Sequence, residues 1–254
     1  MGRRANIGRR NISACFPQKD TAEVEQLLDQ HFRSLGQMLV EIPYSWWGSE
    51  KDALCRHRIE GLEAVRSAHA AGKGVVLVSG HFTTIEVGPR LLCMHLPVAA
   101  IYRPHSTPLM EHLARKNRLK YGKALFRRKD TREMVRHLKS GGIVWYAPDQ
   151  DFTHGQCVFA PFFDLDAWTI TSTRQLARLS GAAVFFLSVR RVDSGSRYVL
   201  QLDPMPEVPG PDHLADCVAF NQRVEALARQ VPEQYLWIHR RFKTRPEGEA
   251  PFYD

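Results

Sequence analysis

The sequence predicts one α/β domain with a mostly parallel or mixed central sheet flanked by helices. Three observations carry this. Short apolar runs at Val75-Val76-Leu77-Val78, Val98 to Tyr102 and Ile143 to Tyr146 are bounded by glycine or proline, the mark of strands buried on both faces. Around them lie segments whose apolar residues recur at three- and four-residue steps, the helical period. Later, Ala183 to Val189 and Tyr198 to Leu202 flank Asp193-Ser194-Gly195-Ser196, a turn signal that predicts an antiparallel hairpin and so a mixed sheet.

The elements follow in order. Residues 1–20 form a basic segment with Arg3, Arg4, Arg9 and Arg10. It is expected either to be solvated or to lie against anionic headgroups, at roughly 1 kcal/mol per cation. Thr21 to Ile42 is an amphipathic helix carrying Val24, Leu27, Leu28, Phe32, Leu35 and Leu39, capped by Asp20 or Thr21 and ended by Pro43. Tyr44, Trp46 and Trp47 come next, so residues 21–47 are expected to face a membrane, although such rings also line core rims. Helices are predicted over Ile59–Ala71, Phe82–Met94, Leu109–Tyr121, Thr131–Leu138, Thr169–Leu179 and Leu214–Gln230. Tyr235 to Arg245 is expected to start as a strand and finish as a basic tail. No linker or repeat divides residues 1–254.

The chain has 254 residues, 44% of them hydrophobic, which suffices for a large core. Lys and Arg number 35 against 27 Asp and Glu, and the net charge of +8 favours an anionic partner. The cysteines (Cys15, Cys55, Cys93, Cys157 and Cys217) are scattered without a CxxC pair. That predicts a reducing compartment and no metal site. The longest apolar stretch, near Gly181 to Val189, is far short of the roughly 20 residues of a membrane span.

Three constellations carry chemistry. Ser79-Gly80-His81-Phe82-Thr83-Thr84-Ile85-Glu86 puts a histidine directly after a buried strand, where α/β sheets bind ligands. Glu86, about one helical turn on, is expected to fold back and orient the imidazole. Ser79 lacks the flanking glycines of a nucleophile elbow, so the nucleophile is expected to be a substrate hydroxyl deprotonated by His81. Pro148-Asp149-Gln150-Asp151 follows another buried strand and is expected to form a polar wall for a sugar or headgroup rather than a metal site. Among the clustered cations, Arg103 and Arg128 lie at the ends of predicted strands or turns and are the expected phosphate-binding residues. No helix-turn-helix, zinc-finger or ribonucleoprotein pattern supports nucleic-acid binding. A basic peripheral-membrane or nucleic-acid module is the competing reading.

These segments, with Tyr102-Arg103-Pro104, Arg128-Lys129-Asp130, Trp145 to Asp151 and Pro232 to Pro246, resemble the late acyltransferases of lipid A biosynthesis, in the lauroyl and palmitoleoyl transferase branch. The resemblance runs from about Asn11 to the C-terminus. It implies a glycerol-3-phosphate-acyltransferase-like fold. It also implies acyl transfer, without cofactor or metal, from acyl carrier protein to the hydroxyl of a 3-hydroxyacyl chain on Kdo2-lipid IVA. The implied location is the cytoplasmic face of the inner membrane, and no nucleic acid is implied as partner. His81 is implied as general base with Glu86 as its partner, and Arg128 and Asp149 fall in segments lining the site. Another glycolipid or phospholipid acceptor is the alternative. Family members begin with a hydrophobic anchor, and this chain begins where that anchor would end. Either the start is truncated, or this form holds the membrane by its basic and aromatic surface.

Overall fold

The structure, a computed structural model, describes residues 2–152 and 155–253. The chain runs α1 (Arg3–Cys15), α2 (Thr21–Trp47), α3 (Glu50–Cys55), β1 (His57–Glu60), α4 (Leu62–Ala70), β2 (Val75–Val78), α5 (Val87–Leu92), β3 (Val98–Tyr102), α6 (Pro108–Tyr121), β4 (Ala124–Arg127), α7 (Thr131–Lys139) and β5 (Ile143–Tyr146). It continues through the hairpin β6 (Cys157–Phe162) and β7 (Leu165–Ile170), α8 (Ser172–Ser180), β8 (Ala183–Val192), β9 (Arg197–Pro204) and α9 (His213–Gln230). The main sheet has seven strands in the order β1-β9-β8-β2-β5-β3-β4. Strands β8, β2, β5, β3 and β4 run parallel, and β9 turns back against β8. The three apolar runs are β2, β3 and β5 at the sheet centre, where both faces are covered by helices and the β2 residues are fully buried.

Several expectations change. The basic start is helix α1, whose Ala5, Ile7, Ile12 and Cys15 are buried. Its arginines tie down other segments: Arg4 donates to the Ile238 carbonyl at 3.0 Å, Arg10 to the Phe252 carbonyl at 2.8 Å, and Arg9 pairs with Glu25. The capping box at Asp20 and Glu23 starts α2 as expected, but the helix continues through Pro43 to Trp47. Pro43 lies on the exposed face of the helix, while Glu41, Ser45 and Trp46 stay buried opposite. Ile59 belongs to strand β1, and Gly61, at φ 73°, separates it from α4. Strand β4 and the β6–β7 hairpin have no counterpart in the sequence reading. The C-terminal segment starts on a single antiparallel bridge, Tyr235 to Phe82, and does not continue as a strand or a free tail. It is an irregular stretch with Trp237 and Phe242 fully buried, and Asn11 of α1 donates to the Trp237 and His239 carbonyls at 2.6 and 2.8 Å.

Histidine His31 on α2 is fully buried and donates through Nδ1 to the Glu233 carbonyl at 3.1 Å. Burial, against the opposing effect of that hydrogen bond, pulls its pKa down from 6.5 to about 4. The unfolded chain therefore takes up the proton first, and stability falls as pH drops below 6.5 towards 4. At pH 5 this costs about 2 kcal/mol. Thermal melts at pH 7 and pH 5 are expected to diverge by more in the wild type than in His31→Leu. Equal divergence would show that the buried imidazole does not drive the acid lability.

Candidate active site

Strands β2 and β5 pair in parallel with Val78 opposite Tyr146. His81 and Asp149 each stand three residues beyond that pair, so the adjacent strands deliver them to matching positions at the carboxyl edge. Gly80 is required here: a Cβ would meet Val224 Cγ1 at 2.8 Å and Phe82 Cε2 at 2.9 Å. The His81 ring is gripped by Asp149, whose Oδ1 lies 2.5 Å from Nδ1, while Oδ2 accepts from the His81 backbone at 2.8 Å and the Tyr235 hydroxyl at 3.2 Å. Burial acts to raise the Asp149 pKa, but the His81 charge and the two hydrogen bonds from His81 outweigh it and hold the carboxyl below its ordinary range. Burial keeps the Tyr235 phenol protonated, with a pKa raised well above 10. Asp149 thus places the proton on Nδ1 and leaves Nε2 as the basic nitrogen.

Glu86 does not turn to His81. Its Oε1 accepts from Trp46 Nε1 at 2.8 Å and Arg118 Nε at 3.0 Å, and its Oε2 accepts from Arg118 at 2.6 Å. The expected orienter is therefore a brace between α2, the His81 loop and α6. Asp149, expected as part of a substrate wall, points inward instead. Asp151 lines the cavity, but its carboxylate anchors the C-terminal segment, accepting from the Thr244 amide at 2.6 Å and hydroxyl at 2.9 Å, with Lys243 at 3.6 Å.

A cavity of about 1000 Å³ opens beside His81, and Glu86, Arg103, Arg128, Gln150 and Asp151 all line it. Its walls include Ile85, Val98, Ala100, Met134 and Trp145. Arg128 stacks on Phe152 at 4.1 Å, and neither Arg103 nor Arg128 has a carboxylate partner among the described residues. Among the described residues, no serine or cysteine hydrogen-bonds to the His81 ring, and Ser79 Oγ instead accepts from Trp145 Nε1 at 3.0 Å. The arrangement is a carboxylate-held imidazole facing an apolar cavity with a cationic rim.

Comparison with known proteins gives this geometry a family. The profile of the family described as bacterial lipid A biosynthesis acyltransferase matches residues 1–244. The chain belongs to this family. The acyltransferase is 39% identical over 254 residues to the lipid A biosynthesis palmitoleoyltransferase of Escherichia coli (strain K12), covering all of this chain and 83% of that protein. It is also 39% identical, over 256 residues and with the same coverage, to the lipid A biosynthesis lauroyltransferase of the same organism. A lipid A biosynthesis acyltransferase of Haemophilus influenzae is 35% identical over 257 residues, covering 99% of this chain and 82% of the relative. The protein is thus an acyltransferase of lipid A biosynthesis with a lipid A-type acceptor, and the family places it at a membrane.

Three residues placed around the candidate site of this acyltransferase escape the sequence reading. Arg118 was one cation in a crowded run. Tyr235 and His239 lay in a stretch assigned to strand and tail. His239 lines the cavity, and its Nε2 accepts from the Asp151 amide at 3.3 Å. Burial lowers its pKa to about 4, so it stays neutral beside His81.

Proposed function

We propose that the acyltransferase moves a fatty acyl chain from an acyl carrier protein thioester to the hydroxyl of a 3-hydroxyacyl chain on Kdo2-lipid IVA, at the cytoplasmic face of the inner membrane. The observation that carries this reading is His81, with Nδ1 held by Asp149 and no protein nucleophile on its ring among the described residues. His81 Nε2 takes the proton of the acceptor hydroxyl as its oxygen attacks the thioester carbonyl. The tetrahedral adduct collapses, the carbon–sulfur bond breaks, and the departing thiolate recovers the proton from His81. A thioester is already activated, so positioning and proton transfer suffice. Arg103 and Arg128 suit the acceptor phosphates, and the net +8 suits both an acidic donor protein and an anionic surface. The two relatives named for palmitoleoyl and lauroyl transfer are equally similar, so the choice of chain rests with the cavity.

The test is mass spectrometry of Kdo2-lipid IVA incubated with the protein and a mixture of acyl carrier protein thioesters. One added acyl group is expected. No mass gain with any donor would remove the reading.

The exposed face of α2 supports a bilayer-facing side. Phe32, Gly36, Leu39, Val40, Pro43 and Trp47 form a continuous exposed apolar stripe at helical spacing, with Leu39 66% and Val40 70% exposed. Among the described residues, no helix is long and apolar enough to cross a membrane. Replacing Leu39 and Val40 together by Glu is expected to lower binding to anionic phospholipid vesicles by about tenfold or more. Turnover of detergent-dispersed acceptor should change little. Unaltered vesicle binding would move the contact surface elsewhere.

A further inference from the structure

His239 lines the cavity and has no part in the chemistry above. The backbone hangs it on the base. The Leu236 amide donates to the His81 carbonyl at 3.0 Å, and the His239 amide donates to the Leu236 carbonyl at 3.2 Å. The loop after β5 then grips both imidazoles. The Asp149 carboxylate holds Nδ1 of His81, and two residues on, the Asp151 amide donates to Nε2 of His239 at 3.3 Å. The two grips have opposite consequences. A carboxylate only accepts, so the His81 proton sits on Nδ1 and Nε2 is basic. An amide N–H only donates, so a neutral His239 carries its proton on Nδ1. Burial keeps that ring neutral, with a pKa lowered to about 4. Among the described residues, Nδ1 of His239 has no hydrogen-bond partner, yet it is not closed off from solvent as the partnerless Nε2 atoms of His31 and His137 are. It is an open donor on a cavity-lining ring.

The reaction needs such a donor. When the acceptor oxygen adds to the thioester carbonyl, the carbonyl oxygen becomes an oxyanion, and a fixed N–H donor stabilises it strongly in a site shielded from water. Other N–H groups lining the cavity are committed: Trp46 Nε1 and Arg118 Nε and Nη2 donate to Glu86, and Trp145 Nε1 donates to Ser79. We infer that His239 is a further catalytic residue, whose Nδ1–H hydrogen-bonds the thioester carbonyl oxygen as it becomes the oxyanion. The proton on His239 stays there throughout. The proton that moves passes from the acceptor hydroxyl to His81 Nε2 and on to the departing thiolate. This rests on the proposed reading that a thioester reacts beside His81.

The test uses the full chain, Kdo2-lipid IVA and the acyl carrier protein thioester that wild type uses fastest, with kcat and KM measured for both substrates. His239→Gln keeps a carbonyl oxygen near the Nε2 position for the Asp151 amide but offers no donor at Nδ1. His239→Asn keeps an amide N–H near the Nδ1 position and drops the Asp151 contact. His239→Gln should lose about 10²- to 10³-fold in kcat with little change in either KM. His239→Asn should stand above it by about tenfold or more. A merely structural role reverses that order, because only glutamine serves the Asp151 amide. His239→Gln within about threefold of wild type overturns the inference, as does His239→Asn falling as far as His239→Gln or further. Wild type that transfers nothing to Kdo2-lipid IVA removes the proposed reaction and the inference together. Transfer by wild type with an unchanged His239→Gln removes the inference alone.

Discussion

Replacing His81 by alanine is expected to lower acyl transfer by about 10³- to 10⁴-fold, the upper part of the range for a general base. The fold should survive. His81 is at the sheet edge with its side chain 22% exposed, and Asp149 would keep the residue-81 amide and the Tyr235 hydroxyl as donors. Asp149→Asn is the sharper variant. It preserves shape and packing but offers Nδ1 an amide that no longer enforces the proton there, so a loss of about 10²-fold or more is expected in kcat with little change in KM. Glu86→Gln should cost less than Asp149→Asn, because Glu86 braces Arg118 and Trp46 and does not touch the ring. Single-turnover rates for the three variants decide the assignment. If Glu86→Gln abolishes turnover while Asp149→Asn remains near wild type, the orienting carboxylate is Glu86 after all.

That contrast shows what the sequence can carry. His81 was legible because a glycine, a buried apolar run and a polar turn put it at the carboxyl end of a strand. The sheet centre was legible because β2, β3 and β5 bury both faces and so cannot be polar. The pairing of His81 with Asp149 needed strand order. Only the adjacency of β2 and β5, in the register Val78 to Tyr146, brings residues 68 positions apart together. Local spacing favoured Glu86 instead, and a partner on α6 drew it away. Helix α1 was hidden by its arginines, which alternate with a buried face too short to stand out. Pro43 misled because helix ends are set by tertiary burial as well as by proline, and Trp46 is 5% exposed beyond it. The C-terminal segment has no period to read. Its order comes from α1, from the His81 loop and from Arg241, which donates to the Trp168 carbonyl at 2.7 Å and Thr169 Oγ1 at 2.8 Å.

Replacing Glu41 by alanine is expected to destabilise the protein by about 3–5 kcal/mol, or roughly 10 °C in Tm for a chain of this size. Glu41 and Arg191 are 7% and 5% exposed, and the carboxylate receives Arg191 at 2.5 and 2.7 Å and the Tyr198 hydroxyl at 2.9 Å. Removing it strands a buried cation. The pair is also coupled to the active site. Arg191 donates to Thr83 Oγ1 at 2.7 Å and to the Thr83 carbonyl at 2.8 Å, and Gln234 bridges it to the C-terminal segment. Thr83 lies two residues after His81, so the network fixes the loop that carries His81. Replacing both partners by apolar residues, Glu41→Leu with Arg191→Met, should recover most of the lost stability, because no unpaired charge remains. It should not recover turnover, because the Thr83 contacts are still missing. Thermal melts and kcat on the single and double variants separate the two roles. A double variant as active as wild type would show that the loop holds His81 without Arg191. A Glu41→Ala protein within about 1 kcal/mol of wild type would mean that water reaches the pair and the network is not the clamp its burial describes.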